Sequence, residues 1–232
     1  MTKVDIGIIG AMPAEVEAII ASLDGAAVTA VSGIDFYTGK LFGKKVAVAK
    51  CGIGKVFAAI CAEAMILNFK PDLIVNTGVG GALEPSLSPL DIVIADKLVQ
   101  HDMDTSALGD PKGLVSGINK IYFDTDARAV EILLSAAAEI GANASVGTIA
   151  TGDRFISSLP DKERIRADFS ASACEMEGGA IAHTAYINSV PFAVVRAISD
   201  SADGKAEMDY PEFLRGAAQI STKLTLELVK NY

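Results

Sequence analysis

The stretch Pro191-Phe192-Ala193-Val194-Val195-Arg196-Ala197-Ile198-Ser199-Asp200 constrains the fold more than any other part of the chain. Its apolar, β-branched run reads as a strand buried on both faces, as in a parallel sheet covered by helices. The run stops abruptly at Arg, Ser and Asp. In open α/β sheets, ligands bind beyond the carboxyl ends of the strands. A carboxylate at that edge is partly desolvated, which raises its pKa and lets it hold a proton near neutral pH. Asp200 is therefore the first candidate acid, and Glu15 and Glu177 are expected to converge on it from distant parts of the sequence.

Further buried strands are expected at 4–10, 46–50, 72–77, 91–96 and 144–150, with a strand and turn over 37–43. Helices are expected from Pro13, from an opening at Gly52-Ile53-Gly54-Lys55 to about Phe69, over 126–140, over 162–169 as a short charged helix, after Gly179 through Tyr186, and from Pro211. The last carries Phe213, Ala217, Ile220, Leu224 and Leu228 at helical spacing. Residues 97–120 read as a polar loop broken by Gly109, Pro111, Gly113 and Gly117. This alternation predicts one α/β domain over 1–232 with a central, mostly parallel sheet. Half of the residues are hydrophobic and 21% are charged, which excludes disorder. A net charge of -9 without a Lys/Arg run argues against nucleic acid and against a membrane surface. Cys51, Cys61 and Cys174 lack CxxC spacing and read as small buried hydrophobes in a reducing cytoplasm. The apolar run at the amino end is too short and too interrupted for a signal peptide or membrane span.

Four segments combine an apolar strand with a Gly-rich or polar end: 7–15, 76–82, 152–156 and 196–200. If their strands run parallel, these ends lie along one sheet edge, and Glu175-Met176-Glu177 joins them at a strand-to-helix junction. Familiar nucleotide motifs are missing. Gly7 and Gly10 do not form GxGxxG, and Gly52-Ile53-Gly54-Lys55 lacks the flanking Gly and Ser/Thr of a phosphate loop, holding Ala49 and Val56 instead. No GxSxG occurs, and His101 and His183 are not at metal-ligand spacing, so no metal is expected. His183 reads as a structural histidine in an apolar helix. Taken singly, each acidic residue reads as a helix cap or a solvated charge before it reads as a catalyst. Taken together they suit hydrolysis of a glycosidic bond, with one carboxylic acid protonating the leaving group and one carboxylate activating water.

Six motifs occur in order: Gly7-Ile8-Ile9-Gly10-Ala11-Met12 with Glu15, Cys51-Gly52-Ile53-Gly54-Lys55-Val56, Asn76-Thr77-Gly78, Gly152-Asp153-Arg154-Phe155-Ile156, Glu175-Met176-Glu177, and Val194–Asp200. This set closely resembles 5′-methylthioadenosine/S-adenosylhomocysteine nucleosidases of the nucleoside phosphorylase superfamily, over nearly the whole chain. The resemblance implies a three-layer α/β/α sandwich, a homodimer, and hydrolysis of the N9–C1′ bond of adenine nucleosides without metal or organic cofactor. It makes Glu15 the base on the attacking water and Asp200 the donor to adenine N7, oriented by Ser199. Glu177 would hold the ribose hydroxyls, Met176 would lie against the sugar, and Arg196 would sit near the water and Glu177. Phe155 would stack on adenine while the Ile156 backbone reads its edge. Met12, Ile53, Val79, Glu175 and Tyr210 complete the expected substrate pocket, and Thr105 and Leu108 are expected to reach into the partner subunit's pocket.

The chain departs from the pattern at two places. Val79 stands where many relatives have a serine, removing a hydroxyl near the water and Glu177. Leu108 and Asp110 stand where relatives bring aromatic residues to the 5′-substituent. Phosphorolysis is the nearest alternative, but the loop after the first strand places Glu15 where phosphate would be repelled. A sibling nucleosidase acting on aminodeoxyfutalosine and a non-catalytic nucleoside-binding protein are the other readings.

Overall fold

The computed structural model describes residues 3–202 and 206–232, with the side chains of 206–209 and 211 left aside. The first half runs β1 (Ile6–Gly10), α1 (Pro13–Ala21), β2 (Asp24–Val31), β3 (Ile34–Leu41), β4 (Lys44–Lys50), α2 (Lys55–Phe69), β5 (Leu73–Ala82) and β6 (Ile92–Gln100). The second runs β7 (Tyr122–Asp124), α3 (Ala127–Glu139), β8 (Ala144–Thr151), α4 (Leu159–Phe169), β9 (Ala171–Glu175), α5 (Gly178–Ile187), β10 (Phe192–Asp200) and α6 (Ala206–Asn231).

Alternation along the buried strands sorts side chains into two helical layers. Ile9, Ala47, Ala49 and Ile74 face α2 and α5, meeting Cys61, Met65, Phe69, Ile181 and Ala185. Their neighbours Ile8, Val46, Val48, Leu73 and Val75 face the other way, meeting Val16 and Ile19 of α1, Leu133 of α3, and Leu224 and Leu228 of α6. The result is the expected three-layer α/β/α sandwich around a mixed sheet. Gly7 lets α2 close on β1, because a Cβ there would overlap the Met65 sulfur.

The sheet order is β10-β6-β8-β9-β5-β1-β4-β3-β2, with β7 on β6, and β10 also pairs with β5. That extra pairing closes five strands into a barrel-like ring. Parallel pairs join β4, β1, β5 and β10, whereas β9 runs antiparallel to β5 and β6 runs antiparallel to β10. Hence β8, which is parallel to β6 and β9, runs counter to β5 and β10. The four strand ends singled out from the sequence do not share one direction. They meet because the ring brings both directions to the same place.

Within 97–120 the expected loop is shorter. β6 continues to Gln100, a single 3₁₀ turn spans Ser106–Leu108, and Val115 bridges Lys120. The final helix begins at Ala206 rather than Pro211. Among the described residues, no helix is long and apolar enough to cross a membrane.

Candidate active site

Glu15 lies in the first turn of α1, where Pro13 pre-sets the backbone and the helix dipole favours a negative charge. Its Oε2 accepts the N–H groups of Ala11 (2.7 Å) and Met12 (2.9 Å), and its Oε1 accepts that of Val79 (3.1 Å). Burial pushes the carboxyl upward, opposed by Arg196 and by these three donors. Gly78 makes room for it: a Cβ there would stand 2.5 Å from Oε1. Val79 thus meets Glu15 through its backbone amide.

Asp200 ends β10, where the register against β5 slips between Ile198 and Asp200. Such a bulge re-aims side chains beside a site. Its Oδ1 accepts the Ser199 hydroxyl at 3.1 Å, and that hydroxyl also lies 3.3 Å from the Gly80 carbonyl. Gly81 clears the approach, since a Cβ there would fall 2.9 Å from Oδ2.

Glu175 and Glu177 divide their work, as residues two apart across a strand-to-helix junction can. Glu175 serves the scaffold. Its Oε2 accepts the N–H groups of Glu177 (3.0 Å) and Gly178 (2.7 Å) and pairs with Arg196, while its Oε1 accepts the Thr151 hydroxyl. Glu177 accepts the Gly54 N–H at 2.8 Å. Burial, reinforced by the nearby Glu175 charge, pushes the Glu177 carboxyl up to about 7. Arg196 is buried between Glu175 and Asn76, whose amide in turn donates to the Ile9 carbonyl at 2.9 Å.

Glu15, Glu175, Glu177 and Asp200 border one cavity of about 400 Å³, a volume suited to a small organic molecule. Of the sequence-predicted residues, Met12, Glu15, Ile53, Val79, Phe155, Ile156, Glu175, Met176, Glu177, Ser199, Asp200 and Tyr210 line it. Arg196 stands behind the wall, holding Glu175. The half-exposed Phe155 ring meets Tyr210 edge-on at 5.5 Å, and the Tyr210 hydroxyl lies 3.3 Å from the Met12 sulfur. Thr105 and Leu108 do not line this chain's cavity, and Leu108 is 84% exposed.

Three supporting features were missed. Cys174 lines the cavity, its thiol pushed up to about 12 by burial. Asp102 binds Lys55 Nζ (2.6 Å) and the Asp153 N–H (2.9 Å), while Asp153 accepts the Lys55 N–H (2.7 Å). This clasp ties the Phe155 loop to the start of α2. Lys162 is fully buried beside Asp200. Its signal was present, because Lys162, Ile165 and Phe169 form one buried stripe of a helix read only as charged. The structural reading of His183 stands: it stacks on Phe123, with Gln100 Nε2 at 3.4 Å from Nδ1.

The profile of the Phosphorylase superfamily matches residues 5–230. Over 223 residues the chain is 42% identical to a 5′-methylthioadenosine/S-adenosylhomocysteine nucleosidase of Staphylococcus aureus, a match spanning 96% of this chain and 97% of the relative. The chain belongs to this nucleosidase family. Solved structures agree. The Neisseria meningitidis nucleosidase in complex with methylthio-immucillin-A is 36% identical with a TM-score of 0.94, covering 98% of this chain and 99% of that one. A futalosine hydrolase of Helicobacter pylori is 35% identical with a TM-score of 0.93, each chain covered to 98%.

Proposed function

We propose that the chain hydrolyses the N9–C1′ bond of 5′-methylthioadenosine and S-adenosylhomocysteine, and of 5′-deoxyadenosine, releasing adenine and the 5-substituted ribose. The observation that carries this reading is that Glu15, Glu177 and Asp200, from three separate parts of the chain, border a single cavity. Adenine is a poor leaving group as an anion, and protonation at N7 by Asp200 removes that charge. Ser199 fixes the acid's rotamer. A positioned acid contributes about 10²–10⁴-fold in rate. Glu15 takes a proton from water on the other side of the sugar, its two oxygens fixed by three backbone donors. Glu177 accepts the ribose hydroxyls, and both glutamates face the cationic sugar that develops as the bond breaks. Phe155 and Tyr210 cover the base. All of these steps use side chains of the protein, with no cofactor.

A loop of carboxylate where phosphorylases need cationic donors supports water over phosphate as nucleophile. Adenine release from the three nucleosides, assayed with and without phosphate, tests this: equal rates and free sugar support hydrolysis, whereas phosphate dependence and sugar 1-phosphate contradict it. The likeness to a futalosine hydrolase favours a second reading, in which a bulkier adenine nucleoside such as aminodeoxyfutalosine is also cut. The same assay with that nucleoside decides it.

The working form is a homodimer in the cytoplasm. Ile53, Val56, Phe57, Ile60 and Leu67 on and before α2, with Tyr186 and Ile187 of α5, leave an exposed apolar face that supports pairing of two copies. Leu108 would then reach the partner's pocket. Three buried free thiols fit a reducing compartment.

A further inference from the structure

Behind Asp200 lies a buried cation that the mechanism above leaves unused. Lys162, in the first turn of α4, is 1% exposed, as is Asp200. Its Nζ lies 2.7 Å from Asp200 Oδ2 and 2.5 Å from the Ser201 carbonyl oxygen. Asp200 borders the cavity and Lys162 does not, so the carboxylate stands between the ammonium and the leaving base. The same space beneath α4 is otherwise packed by Ile156, Ile165, Phe169 and Cys174. Desolvating an ion pair is costly, and apolar replacements are often as stable. Stability alone therefore does not account for a lysine on that stripe.

We infer that Lys162 stores the proton that Asp200 delivers to the purine. The inference rests on the assignment of Asp200 as the acid. The ammonium 2.7 Å from Asp200 replaces the expectation, drawn from burial alone, that the carboxyl keeps a proton of its own: in the resting site the pair's one proton is carried on Nζ. As the C1′–N9 bond breaks, its electron pair withdraws into the purine. An N–H bond of Lys162 breaks as an O–H bond forms at Asp200, and the Asp200 O–H breaks as N7–H forms. Asp200 ends as it began, the positive charge of the ammonium has cancelled the negative charge of the base, and the neutral amine regains a proton from water after product leaves. Lys162 never touches substrate. It is a positioning residue that acts through Asp200.

The test uses Lys162→Met, Lys162→Gln and Lys162→Arg, each checked by thermal melting, on two substrates. One is 5′-methylthioadenosine; the other is the 4-nitrophenyl glycoside of the same sugar, whose leaving group departs unprotonated. All three variants should lose adenine release by about 10²-fold. Nitrophenolate release should stay within about threefold of the unaltered protein. Arginine keeps the charge but does not give up its proton, so it should not rescue. Adenine release restored by Lys162→Arg, a near-normal rate in Lys162→Met or Lys162→Gln, or an equal loss on both substrates would overturn the inference. Should Lys162→Met not fold, the Gln and Arg variants carry the test. Asp200→Asn is assayed alongside. If it still releases adenine normally, the assignment of Asp200 itself fails, whatever the lysine variants do.

Discussion

Glu177 carries the clearest pH signature of the individual residues. Its carboxyl titrates near 7 in the folded chain against an ordinary value of 4.5. A carboxyl raised on folding contributes stability that is complete below the lower value and is lost as pH rises through the upper one. In the ligand-free protein this loss amounts to about 2–3 kcal/mol between pH 4.5 and 8. Glu177→Gln should flatten the dependence of Tm on pH and leave the variant more stable than the parent at pH 8, while substrate binding is lost; an unchanged pH profile of Tm would contradict the assignment. Gly78 makes a second residue-scale case. Gly78→Ala puts a methyl carbon against the Glu15 carboxylate. We expect kcat to fall at least about tenfold with the melting temperature little changed, because the carboxylate moves while the sheet does not.

Elements that bury two faces were legible because their sequence has nothing else to do. β1 and β10 are short apolar runs bounded by Gly or polar residues, and they formed as expected; β5 runs on through Ala82, past the end expected at Thr77, because glycines that read as a loop pair instead with β10 and β9. β2 was not legible: all of Asp24–Ala30 is exposed, so no alternation marks it. Strand direction was not legible either. Period-two patterning reports burial and says nothing of orientation, so the reversal of β8 and β9 relative to β5 had to come from the structure. The site survived that gap because the motifs fix the strand ends, and the ring closure supplies the meeting point. Lys162 escaped because the pattern of charges over 162–169 does not distinguish a lysine buried on the apolar stripe from one in solvent. At this scale Gly7→Ala tests the seam between β1 and α2, where the added methyl overlaps Met65. Overpacking of this kind costs about 1–3 kcal/mol, seen as a lower Tm with kcat preserved in the folded fraction.

The whole molecule joins a ring of five strands to an exposed apolar face. The half-exposed Phe155 borders the cavity, while apolar residues of α2 and α5 and Leu108 are exposed on the single chain. If two copies pair there, Val56→Asp with Phe57→Asp should yield a monomer by light scattering and lower kcat/KM. A dimer that persists in this variant would remove the apolar face as its interface. The central claim is that these carboxylates direct water, and nothing else, to the sugar. Its most direct measurement is mass spectrometry of the sugar released from 5′-methylthioadenosine in ¹⁸O-labelled water with phosphate present. The account predicts ¹⁸O at C1′ of a free sugar, formed by the parent protein and abolished in Glu15→Gln. An unlabelled sugar 1-phosphate, or undiminished labelling in Glu15→Gln, would contradict it.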